Sequence, residues 1–352
     1  MNTQSQEKRR LQRRRRLALL LLVVFLFGGC GISLFLFKNG AFTPTGQPPT
    51  NQGAIDGPVQ TTGCGKGAPT VPGTSAAETI QSGGVSRTYL LHLPRGYTNT
   101  TRTAVVLILH GSDPANPHLL TNLEQSTGFS HLADQEHFIA VYPLATEIHI
   151  RILFLNIGPA RMRWNTGSVD DPAVNDVLFI SNLLNHLQAS LCIDPQRIYA
   201  TGFSSGGGMT GVLACLLAGR IAAFAPVSGS FFVTSAGCHP ARPVSLLEFH
   251  GTSDPKVPYS GSHGGGDVLP SIPQWLQDWA TRDRCSSGPT PFFTKADVTG
   301  EQWTKCKDGA AIVHYRITGG GHAWPGSNMP GATQTIQATP LIWQFFQEHL
   351  LQ

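Results

Sequence analysis

At 352 residues, with 41% hydrophobic and 13% charged residues, the chain holds enough apolar mass for one large α/β domain or two smaller ones. Its formal charge of +4 is local: residues 1–38 carry eight Lys/Arg against Glu7, leaving the body seventeen basic and twenty acidic residues. A body of that sign offers no nucleic-acid surface, so nucleic acid is excluded as a partner.

Residues 1–16 form a basic tail, and residues 17–37 an uncharged apolar stretch long enough to cross a bilayer as a helix. The positive-inside tendency keeps the tail in the cytoplasm and puts the rest outside. The expectation is a transmembrane anchor through which the chain meets the membrane. The alternative is a cleaved signal segment processed near Gly28-Gly29-Cys30-Gly31. Residues 38–63, rich in Pro, Gly, Thr and Gln, read as a flexible linker, and residues 64–352 as the folded domain.

All seven cysteines but Cys30 lie in that domain: Cys64, Cys192, Cys215, Cys238, Cys285 and Cys306. An even number in an exported domain points to disulfides. Several connectivities are open; pairing neighbours, Cys215 with Cys238 and Cys285 with Cys306, is simplest and leaves Cys64 with Cys192. No Cys-x-x-Cys or clustered His spacing occurs, so no metal or cofactor is implied.

Along the domain, Arg87–Leu93 alternates like a strand, and Thr103–Leu109 is a continuous β-branched run, the mark of a strand covered on both faces. A helix is predicted over Leu119–Gln135, a strand over Phe138–Tyr142, an irregular cap loop over 144–170 and a helix over Val174–Leu191. Further strands are predicted at Arg197–Gly202, Ala222–Val227, Val244–Phe249 and Ala311–Ile317, with helices at Met209–Ala218, Ile272–Arg282 and Thr339–Leu350. Strands alternating with helices over this length mean one domain with a mostly parallel, doubly wound sheet and helices on both faces.

The strand at Arg197 runs straight into Gly202-Phe203-Ser204-Ser205-Gly206 and then a helix. A serine at a tight strand-to-helix turn has small neighbours, an exposed Oγ and backbone N–H groups at a helix N-terminus aimed at developing negative charge. Two other strands end in loops bearing the remaining groups of a nucleophile–base–acid relay. Val244–Phe249 leads to Asp254, and Ala311–Ile317 leads through Gly319-Gly320-Gly321 to His322. Asp278, Asp283 and Asp297 lack that placement. The order Ser, Asp, His is that of the α/β-hydrolase fold, and Ser204, Asp254 and His322 are the expected catalytic residues. In that fold the oxyanion donors are the N–H after the nucleophile and one in the loop after an earlier strand, here Ser205 and Ser112. His110, Trp164 and Trp324 are candidates for the substrate pocket.

These blocks carry a resemblance. Arg87-Thr-Tyr-Leu-Leu-His-Leu-Pro-Arg-Gly-Tyr97, Gly202-Phe-Ser-Ser-Gly-Gly-Gly-Met209, His250-Gly-Thr-Ser-Asp-Pro-Lys-Val-Pro-Tyr259 and Gly319-Gly-Gly-His-Ala-Trp-Pro-Gly326 are similar to the secreted esterases of the polyhydroxybutyrate depolymerase and feruloyl esterase group, like carbohydrate esterase family 1. The resemblance spans about residues 64–350. It implies an extracellular serine esterase acting on aliphatic polyesters or on feruloyl and acetyl esters of plant polysaccharide. Two features depart from the pattern: Ser112-Asp113-Pro114 where a glutamine-containing loop is usual, and an N-terminal apolar segment longer than a simple secretion signal. A serine peptidase of the same fold would carry the same trio, whereas a non-catalytic surface binding protein would lack one of its members.

Overall fold

The computed structural model describes residues 53–54, 56–148, 151–152, 155–156, 160–166, 174–232, 237–262 and 268–352. The expected tail and apolar segment, residues 1–37, lie outside them, as does most of the linker. Among the described residues no helix is long and apolar enough to cross a membrane. The domain starts earlier than Cys64. Asp56 Oδ1 accepts from the Gly219 N–H at 2.7 Å, Gln188 donates to the Val59 carbonyl, and Thr62 and Gly63 donate to the Gln188 carbonyl. Residues 56–63 are therefore laid along the body and are not part of a free linker.

The strands are β1 (Thr74–Ser82), β2 (Val85–Leu93), β3 (Thr103–Leu109), β4 (Ile139–Pro143), β5 (Ile193–Phe203), β6 (Ala223–Val227), β7 (Ser245–Gly251), β8 (Ser287–Lys295), β9 (Val298–Thr304) and β10 (Ile312–Ile317). They form one ten-stranded sheet in the order β1-β2-β4-β3-β5-β6-β7-β10-β9-β8. From β4 to β10 every neighbouring pair is parallel, while the hairpins β1–β2 and β8–β9 flank that centre antiparallel. β3, β4 and β6 are buried at every position, as strands covered on both faces must be.

Helices α3 (Asp176–Ser190), α4 (Ser205–Leu216) and α5 (Ile272–Arg282) contribute Phe179, Leu183, Leu213 and Leu276 to the core on one face. Helices α1 (Leu119–Thr127), α2 (Phe129–Glu136) and α6 (Ala338–Gln347) contribute Leu123, Phe129, Ile342 and Phe346 to the core on the other. The single helix predicted over 119–135 is two, because Gly128 turns left-handed at φ 69° and closes the first helix by donating to the Glu124 carbonyl.

Three disulfides form among the described residues: Cys64–Cys192, Cys215–Cys238 and Cys285–Cys306. They are the simplest of the connectivities open to the sequence. The first ties the start of the domain to the end of α3, closing a loop with a sequence separation of 128 residues. A link across so long a loop removes much freedom from the unfolded chain.

Asp283 follows α5 and is buried, at 1% exposure. Burial pushes its carboxyl up to about 7, against the opposing pull of the Val244 backbone and the nearby Arg282 and Arg242. A carboxyl raised above its unfolded value favours the folded state while protonated, in full below about pH 4, and that contribution is lost as pH climbs through 7. Asp283→Asn is therefore expected to flatten the decline in stability between those values. Relative to the parent it should gain on the order of 1 kcal/mol or more at pH 8, read by urea unfolding at several pH values.

Candidate active site

The site begins with a backbone problem at the end of β5. Ser204 adopts φ 56°, ψ −116°, a region that residues with a Cβ rarely enter, and α4 starts at the next residue. Its N–H donates to the Val227 carbonyl at 3.0 Å, and its carbonyl accepts from the Gly208 and Ser230 N–H groups. These bonds to β6 and the following loop hold the strained residue in place. The neighbouring glycines leave it no alternative. A Cβ on Gly206 would lie 2.2 Å from the Leu109 carbonyl oxygen, and one on Gly202 would lie 2.4 Å from that of Gly206. The turn closes against the end of β3 only because neither carries a side chain.

Beyond β3, Gly111 packs on the elbow, its Cβ direction pointing at the Ser204 Cβ from 3.2 Å. Ser112 follows. Arg161 fastens it, donating from Nε to the Ser112 Oγ at 3.1 Å and from Nη2 to its carbonyl at 3.3 Å. The two-residue strands Asp113–Pro114 and Glu147–Ile148 both pair with Arg161–Met162 and join this loop to the cap region. Ser205 is the first residue of α4, so its N–H has no acceptor within the helix.

Asp254 and His322 meet between the loops after β7 and β10. His322 Nδ1 donates to Asp254 Oδ2 at 2.7 Å, while Asp254 Oδ1 accepts from the N–H groups of Lys256 at 2.8 Å and Val257 at 2.9 Å. Burial opposes ionisation of Asp254, but these donors and the His322 imidazole outweigh it and hold the carboxyl below its ordinary value. With Nδ1 donating, Nε2 of a neutral His322 is left as an acceptor. The Phe203 ring, next to Ser204, lies 4.8 Å from that imidazole. The two loops are stitched together. The Ser253 N–H donates to the Gly320 carbonyl and the Gly319 N–H to the Thr252 hydroxyl, and a Cβ on Gly251 would sit 2.2 Å from the Gly320 oxygen.

The three pocket candidates are corrected by burial. His110 is 1% exposed: its Nδ1 donates to the Gly111 carbonyl at 2.6 Å and its Nε2 accepts the Ala145 N–H at 3.0 Å. Burial lowers its pKa to about 4, so it is a neutral pin under the loop after β3. Trp164 is fully buried and donates to the His110 carbonyl at 2.9 Å. Trp324 is 2% exposed and donates to the Thr339 hydroxyl. His110 and Trp164 support loops from beneath, and Trp324 lines a separate hollow with Gly128, Leu132 and Thr339. A hollow of about 200 Å³, lined by Phe231, Trp275, Trp279 and the Cys215–Cys238 disulfide, borders α4 at Gly208 and Gly211 and includes none of the trio.

Two groups of residues escaped the sequence reading. Arg161 has no local pattern to mark it, since its partner is distant in the chain. Glu248 and His250 did leave a signal: they alternate with apolar residues in a central strand, which puts two polar side chains on one buried face.

No family model matches the chain. It is 30% identical over 319 residues to feruloyl esterase C of Emericella nidulans, covering 88% of this chain and 96% of that one. It is 36% identical over 179 residues to feruloyl esterase B of Piromyces equi, of whose length it covers only 32%. Among solved structures, an acetyl xylan esterase from Aspergillus awamori superposes with a TM-score of 0.51 at 14% identity, covering 77% of this chain and 99% of that one, a likeness of fold.

The elbow's crowding is directly testable. Gly206→Ala places a methyl group against the Leu109 carbonyl, so it is expected to lower stability by about 2 kcal/mol or more and to cut ester turnover in the remaining folded protein. Thermal unfolding and p-nitrophenyl acetate hydrolysis read the two effects separately.

Proposed function

The chain belongs to the feruloyl esterase family of carboxylic ester hydrolases, and on that premise we propose that it hydrolyses feruloyl or acetyl esters of plant polysaccharide through Ser204, His322 and Asp254. The observation that carries this reading is the 2.7 Å bond from His322 Nδ1 to a carboxylate already fixed by two backbone N–H groups, which leaves Nε2 available as the base. His322 takes the Ser204 proton as Oγ attacks the ester carbonyl, and the N–H groups of Ser112 and Ser205 receive the oxyanion. Asp254 stabilises the imidazolium that results. His322 then protonates the leaving alcohol, an acyl-enzyme remains, and a water deprotonated by His322 releases the acid. Arg161, bonded to the Ser112 hydroxyl and carbonyl, supports this role by fixing that residue's backbone.

Polymer-bound esters lie outside cells, and disulfides persist in oxidising compartments, so the body is assigned to the extracellular side. Residues 17–37 serve there as anchor or as cleaved signal. Protein in the membrane fraction that a protease added outside whole cells can release is the expected result. Cytoplasmic protein with reduced cysteines would refute the assignment.

Ser204→Ala is expected to abolish ester hydrolysis and fluorophosphonate labelling while thermal unfolding stays near the parent's. Asp254→Asn should lower turnover by roughly 10³- to 10⁴-fold, as loss of an imidazole-orienting carboxylate does in such relays. A panel of methyl ferulate, acetylated xylan, p-nitrophenyl esters and polyhydroxybutyrate decides the substrate. Turnover of methyl ferulate or acetylated xylan is expected; cleavage of polyhydroxybutyrate alone would move the chain to polyesters.

A further inference from the structure

Behind Asp254 lies a row of buried polar groups that the relay above does not use. Glu248 and His250, two apart on β7, and His314, the register partner of Glu248 on β10, share one face of the sheet. Glu248 and His250 are fully buried and His314 nearly so. His250 Nδ1 lies 2.9 Å from Glu248 Oε1, and its Nε2 lies 2.9 Å from the Val257 carbonyl oxygen and 3.5 Å from Asp254 Oδ2. That Oδ2 is the oxygen that accepts from His322.

A backbone carbonyl can only accept, so His250 Nε2 carries a proton. Its Nδ1 faces a carboxylate oxygen, and the other oxygen of that carboxylate lies 2.8 Å from His314 Nδ1, a nitrogen that is hydrogen-bonded to the Glu248 carbonyl at 3.3 Å. The Tyr259 hydroxyl lies 3.0 Å from His314 Nε2 and closes that side of the row. The remaining charged neighbours on this face point elsewhere: Arg316, beside His250 in the register, reaches toward Glu301 at 3.8 Å.

We propose that His250 is a positioning residue for the catalytic relay: as a buried imidazolium braced by Glu248, it holds Asp254 Oδ2 in place and offsets its charge. The proposal rests on the assignment of Ser204, Asp254 and His322 above. Burial works against charge on both Glu248 and His250, but their mutual attraction outweighs it, holding the carboxyl below and the imidazole above their ordinary values. The cation tempers the pull of Asp254 on the His322 proton, and the Val257 loop is gripped at both ends, its N–H by Asp254 and its carbonyl by His250.

The test is His250→Gln in the full chain, assayed with p-nitrophenyl acetate. The expected result is a fall in kcat on the order of 10- to 100-fold with KM little changed. The acid limb of the kcat/KM profile should move to higher pH, because without the cation His322 keeps its proton longer. Glu248→Gln combined with His250→Gln removes the stranded carboxylate. If that double variant recovers the parental rate and profile, the loss came from Glu248 and the proposal fails; a persistent shift supports it. A folded His250→Gln enzyme with the parental rate and acid limb also overturns it. Independently of folding in any variant, ¹⁵N-histidine spectra of the unaltered protein should show His250 carrying both N–H protons above the ordinary histidine midpoint, where a free imidazole has lost one. A bare Nδ1, meaning a neutral pair with protonated Glu248, would refute the cation. Ser204→Ala runs alongside: activity surviving there would sink the relay itself, whereas a dead Ser204→Ala with an unaffected His250→Gln sinks only this inference.

Discussion

Backbone crowding where β5 turns into α4 is the constraint to which the surrounding architecture answers. Ser204 can occupy its left-handed conformation because Val227 on β6 accepts its N–H and because Gly206 lets the helix start under the β3 carbonyls. Strain of this kind costs about 1–3 kcal/mol and persists only where neighbours over-determine it. Both flanking strands must therefore be in register before the serine is presented. The sheet order β3-β5-β6 is in this sense part of the site. The same logic recurs at Gly251 and Gly320, where two loops approach too closely for side chains and so bring Asp254 to His322.

Much of this was legible in the chain itself, for identifiable reasons. Thr103–Leu109 and Ile272–Arg282 match their predicted bounds, the first a continuous apolar run rich in β-branched residues and the second an amphipathic helix capped by Ser271. The expected trio sits at the ends of β5, β7 and β10, because strand ends are where buried apolar runs stop. β1, β8 and β9 escaped notice: β1 is mostly polar with two buried residues, and β8 carries Gly288, Pro289 and Pro291 and is largely exposed. Their hairpin partners, and no apolar run of their own, make them strands. The predicted Met209 start of α4 was late because glycines at 206–208 look like a loop, whereas here they are the only residues the helix can hold against β3 and the loop after β6.

The pocket was the least readable part. His110 and Trp164 stand beside the elbow in space, yet both spend their polar atoms on backbone groups of the loop after β3. Whether an aromatic ring faces solvent or supports a loop depends on contacts from distant segments, and no local pattern encodes those. Glu248 is the converse case. A glutamate in a central strand is costly without partners, so its presence among Leu246, Leu247 and Phe249 is itself evidence that cations or donors wait on the adjoining strand.

The two outer strands also bear on how the protein behaves at high concentration. A sheet this wide ends in open rows of backbone donors and acceptors, which invite another chain to add itself. β8 meets that hazard with Pro289 and Pro291, each lacking an N–H, and with Lys295 at its exposed end, while β1 presents Glu78 and a run of small polar residues. Both outer edges of the sheet thereby carry residues that discourage the addition of a further strand. That resistance is written into which residues were allowed at the rim.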